Sequence, residues 1–200
     1  KELIRRQGDQ DILSTAGELL GVSLRQREAR DIIALYDGFS KSVGGSTVTL
    51  DVTHFRGSVA YLLTDNDTEY GPAELPLNAP FHIEQVSDII LDISDPGASV
   101  ARPAGFGVDM LQRWWRGMDK LYGISIWNSG YIPKNTNTAK GAIFNPPALV
   151  EVKAGDAAVE TSEADMSLRA TEHGLFQVWS EKEKADPWGV EVFSDITATV

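Results

Sequence analysis

The chain has 200 residues, is 42% hydrophobic and 24% charged, and carries a formal net charge of -11. Such a length and composition allow one or two globular domains with a real core, and the absence of cysteine removes disulfides, thiolate metal sites and thiol catalysis. The acidic balance repels phosphate backbones and argues against a dedicated DNA-binding role.

No apolar run approaches the roughly 18 residues that a membrane helix needs. No signal peptide is visible. The chain starts at Lys1 rather than Met, and so reads as a processed product or as the ordered part of something longer. Residues 1–10 are polar, with Arg5 and Arg6, and read as the end of an arm.

Residues 11–38 predict one long amphipathic helix. Ile12, Leu13, Ala16, Leu19, Leu20 and Leu24, then Ile32, Ile33, Leu35 and Tyr36, recur mostly at spacings of three and four, the signature of a buried helical face. Arg27 and Asp31 are spaced to pair across one turn. Gly38 is placed to stop the helix in the left-handed conformation. Gly17 and Gly21 each weaken the helix by about 1 kcal/mol relative to Ala, so packing must hold it.

Residues 39–47, with the pair Gly44-Gly45, predict a loop. A phosphate-binding loop is a poor match, because the lysine after the second glycine and the preceding strand are both missing. Thr49 or Asp51 can cap the next helix. Its apolar stripe is Val52, Phe55, Val59, Leu62 and Leu63, and His54 lies off that stripe, facing solvent. The acidic stretch 65–72 fails the EF-hand pattern, since Tyr70 stands where the turn glycine belongs and Pro76 where the bidentate glutamate belongs. It predicts a solvated turn.

Residues 80–83 suggest a short strand. Residues 84–93 suggest a helix with Val86, Ile89, Ile90 and Ile93 inward, and His82 just before it reads as structural. Residues 94–107, rich in Gly, Pro and Ala, predict an exposed loop. Residues 108–121 predict a short helix carrying Trp114 and Trp115. Two adjacent tryptophans cannot both face one core, so either one of them meets a neighbour or the two are buried locally as an aromatic pair. Residues 123–127 predict a strand, 128–140 a polar loop and 142–144 a short strand. From 149 the period changes to two, and 149–153, 159–166, 168–179 and 188–196 all read as strands. Residues 182–187 would be the charged turn of a hairpin. The class is α+β.

Five stretches, in their order along nearly the whole chain, carry a resemblance: ELLGVSLRQREARDIIALYDGFS (18–40), TLDVTHFRGSVAYL (49–62), YGISIWNSGYIP (122–133), KGAIFNPPALV (140–150) and EADMSLRATEHGLFQVWSEKEKADPWGVEVFSD (163–195). The chain resembles the tailed-bacteriophage major capsid proteins of the Hong Kong 97-like fold. The resemblance implies a spine helix and arm end over 1–45, an axial domain over 46–145, and terminal antiparallel strands over 146–200 that complete the peripheral domain. The arm and extended loop that precede the spine helix in this family are not in this sequence, and 94–120 has no match in it.

The resemblance also implies assembly rather than catalysis. The implied partners are further copies of the chain, in hexamers and pentamers of an icosahedral shell, with portal, scaffold or decoration proteins besides. Packaged DNA would be enclosed without sequence-specific binding, in a virion built in the host cytoplasm and with no membrane. No cofactor, metal or catalytic residue is implied. Arg25, Arg27, Trp114, Trp115 and Arg116 are the candidate intersubunit contacts. The residues themselves agree with a structural role: His54, His82 and His173 fall on different elements, and no HExxH, nucleophile-elbow or Walker pattern occurs. A phage tail or adaptor component is the nearer alternative. The abundant acidic residues leave a carboxylate-based hydrolase as the more distant one.

Overall fold

The computed structural model describes residues 2–64, 69–94, 120–154, 158–161, 173–183 and 186–196. The predictions made for 65–68, for most of the loop at 94–107 and for the helix at 108–119, including Trp114, Trp115 and Arg116, lie outside the described residues. The chain divides into two compact units: residues 1–32 with 151–181, and residues 33–150 with 182–200.

The first unit contains most of helix α1 (Glu2–Ala34). The helix is longer than the sequence suggested, about 50 Å at 1.5 Å per residue. It takes in the expected arm, because Glu2, Leu3, Arg5, Arg6 and Gln7 are all good helix formers. Its end is not the expected left-handed glycine. Gly38 does not adopt positive φ; the chain tightens into a 3-10 turn over Leu35–Gly38, where the Phe39 amide donates to the Tyr36 carbonyl at 3.4 Å. The expected buried face is also only partly realised. Leu20 and Leu24 are half-buried, while Leu19 is 63% exposed.

The remainder of this unit is two small sheets. Strand β7 (Leu149–Lys153) pairs with β10 (Trp179–Glu183), and the Ala154 amide donates to Val178 at 2.9 Å. Strand β8 (Ala158–Thr161) pairs antiparallel with β9 (His173–Phe176), from Ala158 opposite Phe176 to Thr161 opposite His173.

The second unit is built on a seven-stranded mixed sheet. Its order is β1 (Ser42–Thr49), β11 (Gly189–Asp195), β6 (Thr138–Phe144), β2 (Asn78–Phe81), β4 (Ile124–Asn128) and β3 (Lys120–Leu121), with β5 (Lys134–Asn135) on β6. Helices α2 (Val52–Thr64) and α3 (Ile83–Ser94) complete the core. Phe55, Leu62, Leu77, Phe81, Ile89, Ile124, Ile143, Val190 and Val192 are buried together, and the rings of Phe55 and Phe81 meet edge-on at 6.1 Å. At about 1.5–3 kcal/mol for each large apolar side chain, this cluster is the main stabilising feature of the unit.

Several expectations change here. The segment 39–47 is not a loop: residues from Ser42 onward form β1, parallel to β11, and Gly44 sits opposite Phe193 at φ 97°. A β-carbon on Gly44 would lie 2.1 Å from the Phe193 carbonyl oxygen, so glycine is what lets the two strands close. The loop at 128–140 contains β5 and the start of β6, and the last two residues of the predicted helix at 108–121 are the strand β3. The terminal strands are not one antiparallel set. Strand β11 pairs with β1 and β6, so 182–187 is not a hairpin turn. The reason lies in burial: Val190, Val192 and Ser194 face the packed interior on one side, and Glu191 is also buried on the other. A strand covered on both faces belongs inside a sheet rather than at an edge.

Candidate subunit interface

The helix starts show how local sequence sets the frame of the second unit. Asp51 caps α2: its Oδ1 accepts from the His54 amide at 2.7 Å and lies 2.6 Å from His54 Nδ1. His54 is therefore half-buried and held by Asp51, not simply facing solvent. Asp92 on α3 supplies a second cap, with Oδ2 accepting from the Val52 amide at 3.0 Å. Its negative charge suits the positive end of α2.

His82 caps α3, its Nδ1 accepting from the Glu84 amide at 3.2 Å. Three residues on, Gln85 reaches back, and its Oε1 accepts from the His82 amide at 3.1 Å. This is the reciprocal geometry of a capping box, with His in place of Ser or Thr. Gln85 is fully buried, and the two N–H groups of its amide are shared among Ala139 O at 3.2 Å, Val192 O at 3.2 Å and Ser194 Oγ at 2.8 Å. One side chain thus fastens α3 to β6 and β11. No sequence signal marked Gln85. The glutamine at the third helical position was visible, but a histidine cap hides the pattern.

Among the described residues, Lys140 and Lys153 each bridge two carboxylates. In the second unit, Lys140 Nζ binds Asp37 Oδ1 at 2.7 Å and Glu191 Oε1 at 3.1 Å and stands 5.4 Å from the Phe193 ring centroid. These two hydrogen bonds, that to Asp37 above all, hold the Lys140 ammonium above its usual range. In the first unit, Lys153 on β7 binds Glu28 of α1 at 2.9 Å and Glu151 at 3.2 Å. Glu181 on β10 faces this group, with a buried Oε1 that has no hydrogen-bond partner among the described residues. Desolvation, then Asp31, Glu151 and Glu28, push the Glu181 carboxyl upward, against the opposing pull of Lys153. Among the described residues no group of His, Asp or Glu side chains is placed to hold a metal ion.

Of the candidate contacts, Arg25 and Arg27 are both exposed on α1. Arg25 Nε donates to the Gly21 carbonyl of its own helix at 3.3 Å. Arg27 Nε lies 3.6 Å from Asp31 Oδ1, the expected one-turn pair. Their outer faces remain presented to solvent, as do Leu19 and Val22 on the same helix and Val152 and Val178 in the same unit. The sequence reading placed Leu19 inside and so missed it. In the second unit Tyr122, Trp127 and Tyr131 are exposed around β4 and the turn after it.

No protein-family model and no curated protein matches the sequence. Solved structures do. A structure from Mycobacterium phage Che8 matches over 90% of this chain and 62% of its own, with a TM-score of 0.66 at 13% identity. The head structure of Helicobacter pylori bacteriophage KHP40 matches over 92% of this chain and 69% of its own, with a TM-score of 0.65 at 8% identity. The holo-SrpI encapsulin complex from Synechococcus elongatus PCC 7942 matches over 90% and 65%, with a TM-score of 0.63 at 12% identity. The chain therefore spans under two thirds of the Che8 and encapsulin chains. Its fold is the mixed α+β, Hong Kong 97-like fold of phage capsid structures.

Proposed function

We propose that the chain is the major capsid protein of a tailed phage, self-assembling into an icosahedral head that encloses double-stranded DNA. The observation that carries this reading is the match of about nine tenths of the chain to phage head and capsid structures. The role is structural, not enzymatic. The first unit, with α1, corresponds to the peripheral domain and its spine helix, and the second to the axial domain. In this assignment the axial domain takes in residues 33–45, 146–150 and 182–200 as well as 46–145.

The mechanism is edge-to-edge assembly. A closed shell reuses one chain in several environments, so each contact is modest and repeated. Exposed Leu19 and Val22 supply apolar contact area on the spine helix, and Arg25 and Arg27 supply charge that an acidic neighbour can meet. The net charge of -11 makes subunits repel at long range, so assembly strengthens as salt rises toward moderate levels, where the Debye length is about 10 Å. Portal, scaffold or decoration proteins would join the same shell, and the DNA would be contained rather than read.

An encapsulin-type shell is the second reading, favoured by the Synechococcus match. Negative-stain microscopy of the purified full-length protein tests both. Closed shells or capsomers are expected, and monomers at every salt concentration would overturn the assembly reading. DNA recovered from shells made during infection separates a phage head from an encapsulin-type shell.

A further inference from the structure

Two helix faces of this chain are finished in the same way, and both are exposed. On α1, Leu19 and Val22 are exposed side by side, and the neighbouring Ser23 hydroxyl donates to the Leu19 carbonyl at 2.9 Å. On α3, Ile83 is 50% and Leu91 64% exposed, about 12 Å apart along one stripe. Ser87 stands midway between them, and its hydroxyl donates to the Ile83 carbonyl at 3.0 Å. Each serine is thus satisfied on its own helix and needs no outside partner. Ser87 forms a small notch between two large apolar side chains, the relief into which a ridge of another helix packs.

The two faces carry opposite charge at their flanks. Helix α3 contains Glu84, Asp88 and Asp92 and no basic residue. Asp92 is turned to α2, where its Oδ2 accepts from the Val52 amide. Glu84 keeps a partly exposed carboxylate, which holds Lys134 at 2.8 Å and has acceptor sites to spare. On α1 the Arg27 side chain is 73% exposed, and its 3.6 Å pairing with Asp31 is a one-turn surface pair of little strength. At a net charge of -11 most surfaces of two copies repel, so an exposed basic face and an exposed acidic face are the natural places to meet.

We propose that the α1 face of one copy docks antiparallel on the α3 face of a second copy, with Leu19 beside Leu91, Val22 over Ser87 and Arg27 beside Glu84. The spacing selects this direction. Val22 and Arg27 lie about 4.5 and 12 Å beyond Leu19, while Ser87 and Glu84 lie about 6 and 10.5 Å before Leu91, so the pairs agree to about 1.5 Å. Run parallel from Ile83, the same steps set Arg27 level with Leu91, a cation against an apolar side chain. The contact is heterologous, because α1 of each copy meets α3 of the next, and such contacts close into rings when the rotation between copies allows. The inference rests on the assembly reading and names the acidic neighbour that Arg27 meets.

The test uses the absence of cysteine from the sequence. Full-length Leu19→Cys and Leu91→Cys proteins, one of them tagged, are prepared separately, mixed, assembled and oxidised. A disulfide joining one of each is then intermolecular by construction. The mixed dimer is expected on a non-reducing gel, and it should be lost when Leu19→Cys is mixed with Ile83→Cys, a pair about 12 Å apart in the proposed register and beyond disulfide reach. Negative-stain microscopy of the same mixtures separates the two ways of failing. Shells or capsomers without the Leu19–Leu91 disulfide, or with a Leu19–Ile83 disulfide in its place, overturn the docking and leave the assembly reading standing. A wild type that never assembles overturns both. If a cysteine variant fails to fold, charge reversal decides: Arg27→Glu should raise the concentration needed for assembly by about tenfold, and adding Glu84→Arg should restore it. A double variant no better than Arg27→Glu overturns the contact.

Discussion

Removing Gln85 should unfasten the second unit more than any other polar substitution among the described residues. Its side chain accepts from the His82 amide at 3.1 Å and shares its two N–H groups among Ala139 O, Val192 O and Ser194 Oγ at 3.2, 3.2 and 2.8 Å. In Gln85→Ala, the His82 amide and the Ser194 hydroxyl each lose a buried partner, at about 1 kcal/mol or more apiece. The two strand carbonyls retain other acceptor geometry and add less. The vacated volume in a fully buried site adds a further 1–2 kcal/mol or so. The expected loss is about 3–4 kcal/mol, which lowers the urea midpoint by on the order of 2 M for a small unit. Trp188, which packs against this core, serves as the fluorescence reporter. Gln85→Glu sharpens the argument. At pH 7 its carboxylate would face the oxygens that Gln85 now donates to, whereas at pH 4 a protonated Glu restores one donor. Gln85→Glu should therefore be the less stable variant at pH 7 and recover toward pH 4. A loss under about 1 kcal/mol for Gln85→Ala, or a Gln85→Glu penalty independent of pH, would refute the reasoning.

Gly189→Ala should cost about 2 kcal/mol or more in the same denaturation assay, since a β-carbon there lies 2.0 Å from the Phe39 ring, itself packed against Tyr36 and Phe144. Glu181→Gln should stabilise the first unit at pH 8 and change little at pH 4, read as the pH dependence of the thermal midpoint. The native Glu181 carboxyl is shifted up, so its neutral form stabilises below the ordinary glutamate range and that contribution disappears as pH rises through the shifted midpoint. Leu19→Asp should leave the fold intact, because the side chain is 63% exposed in the single chain, yet abolish shell formation if α1 packs on a neighbour. Light scattering and far-ultraviolet circular dichroism on the same sample separate the two effects.

Local chemistry was legible from the residues alone. The helices α2 and α3 follow from their apolar spacing, a cap at Thr49 or Asp51 from residue type, of which the structure uses Asp51, and the strand at 189–195 from strict alternation through Val190 and Val192. These features depend on neighbours a few positions away, and periodicity records them. What the tertiary structure decided depends on partners far along the chain. Strand β11 lies beside β1, well over a hundred residues earlier, and only that pairing makes Gly44-Gly45 a strand rather than a loop. Gln85 carries no signal of its own in the sequence, and only the folded sheet brings acceptors on β6 and β11 to it. The spacing in α1 identified an apolar stripe but not its cover, because spacing reports which side chains share a face and never what stands opposite. Leu19 in the single chain still faces solvent.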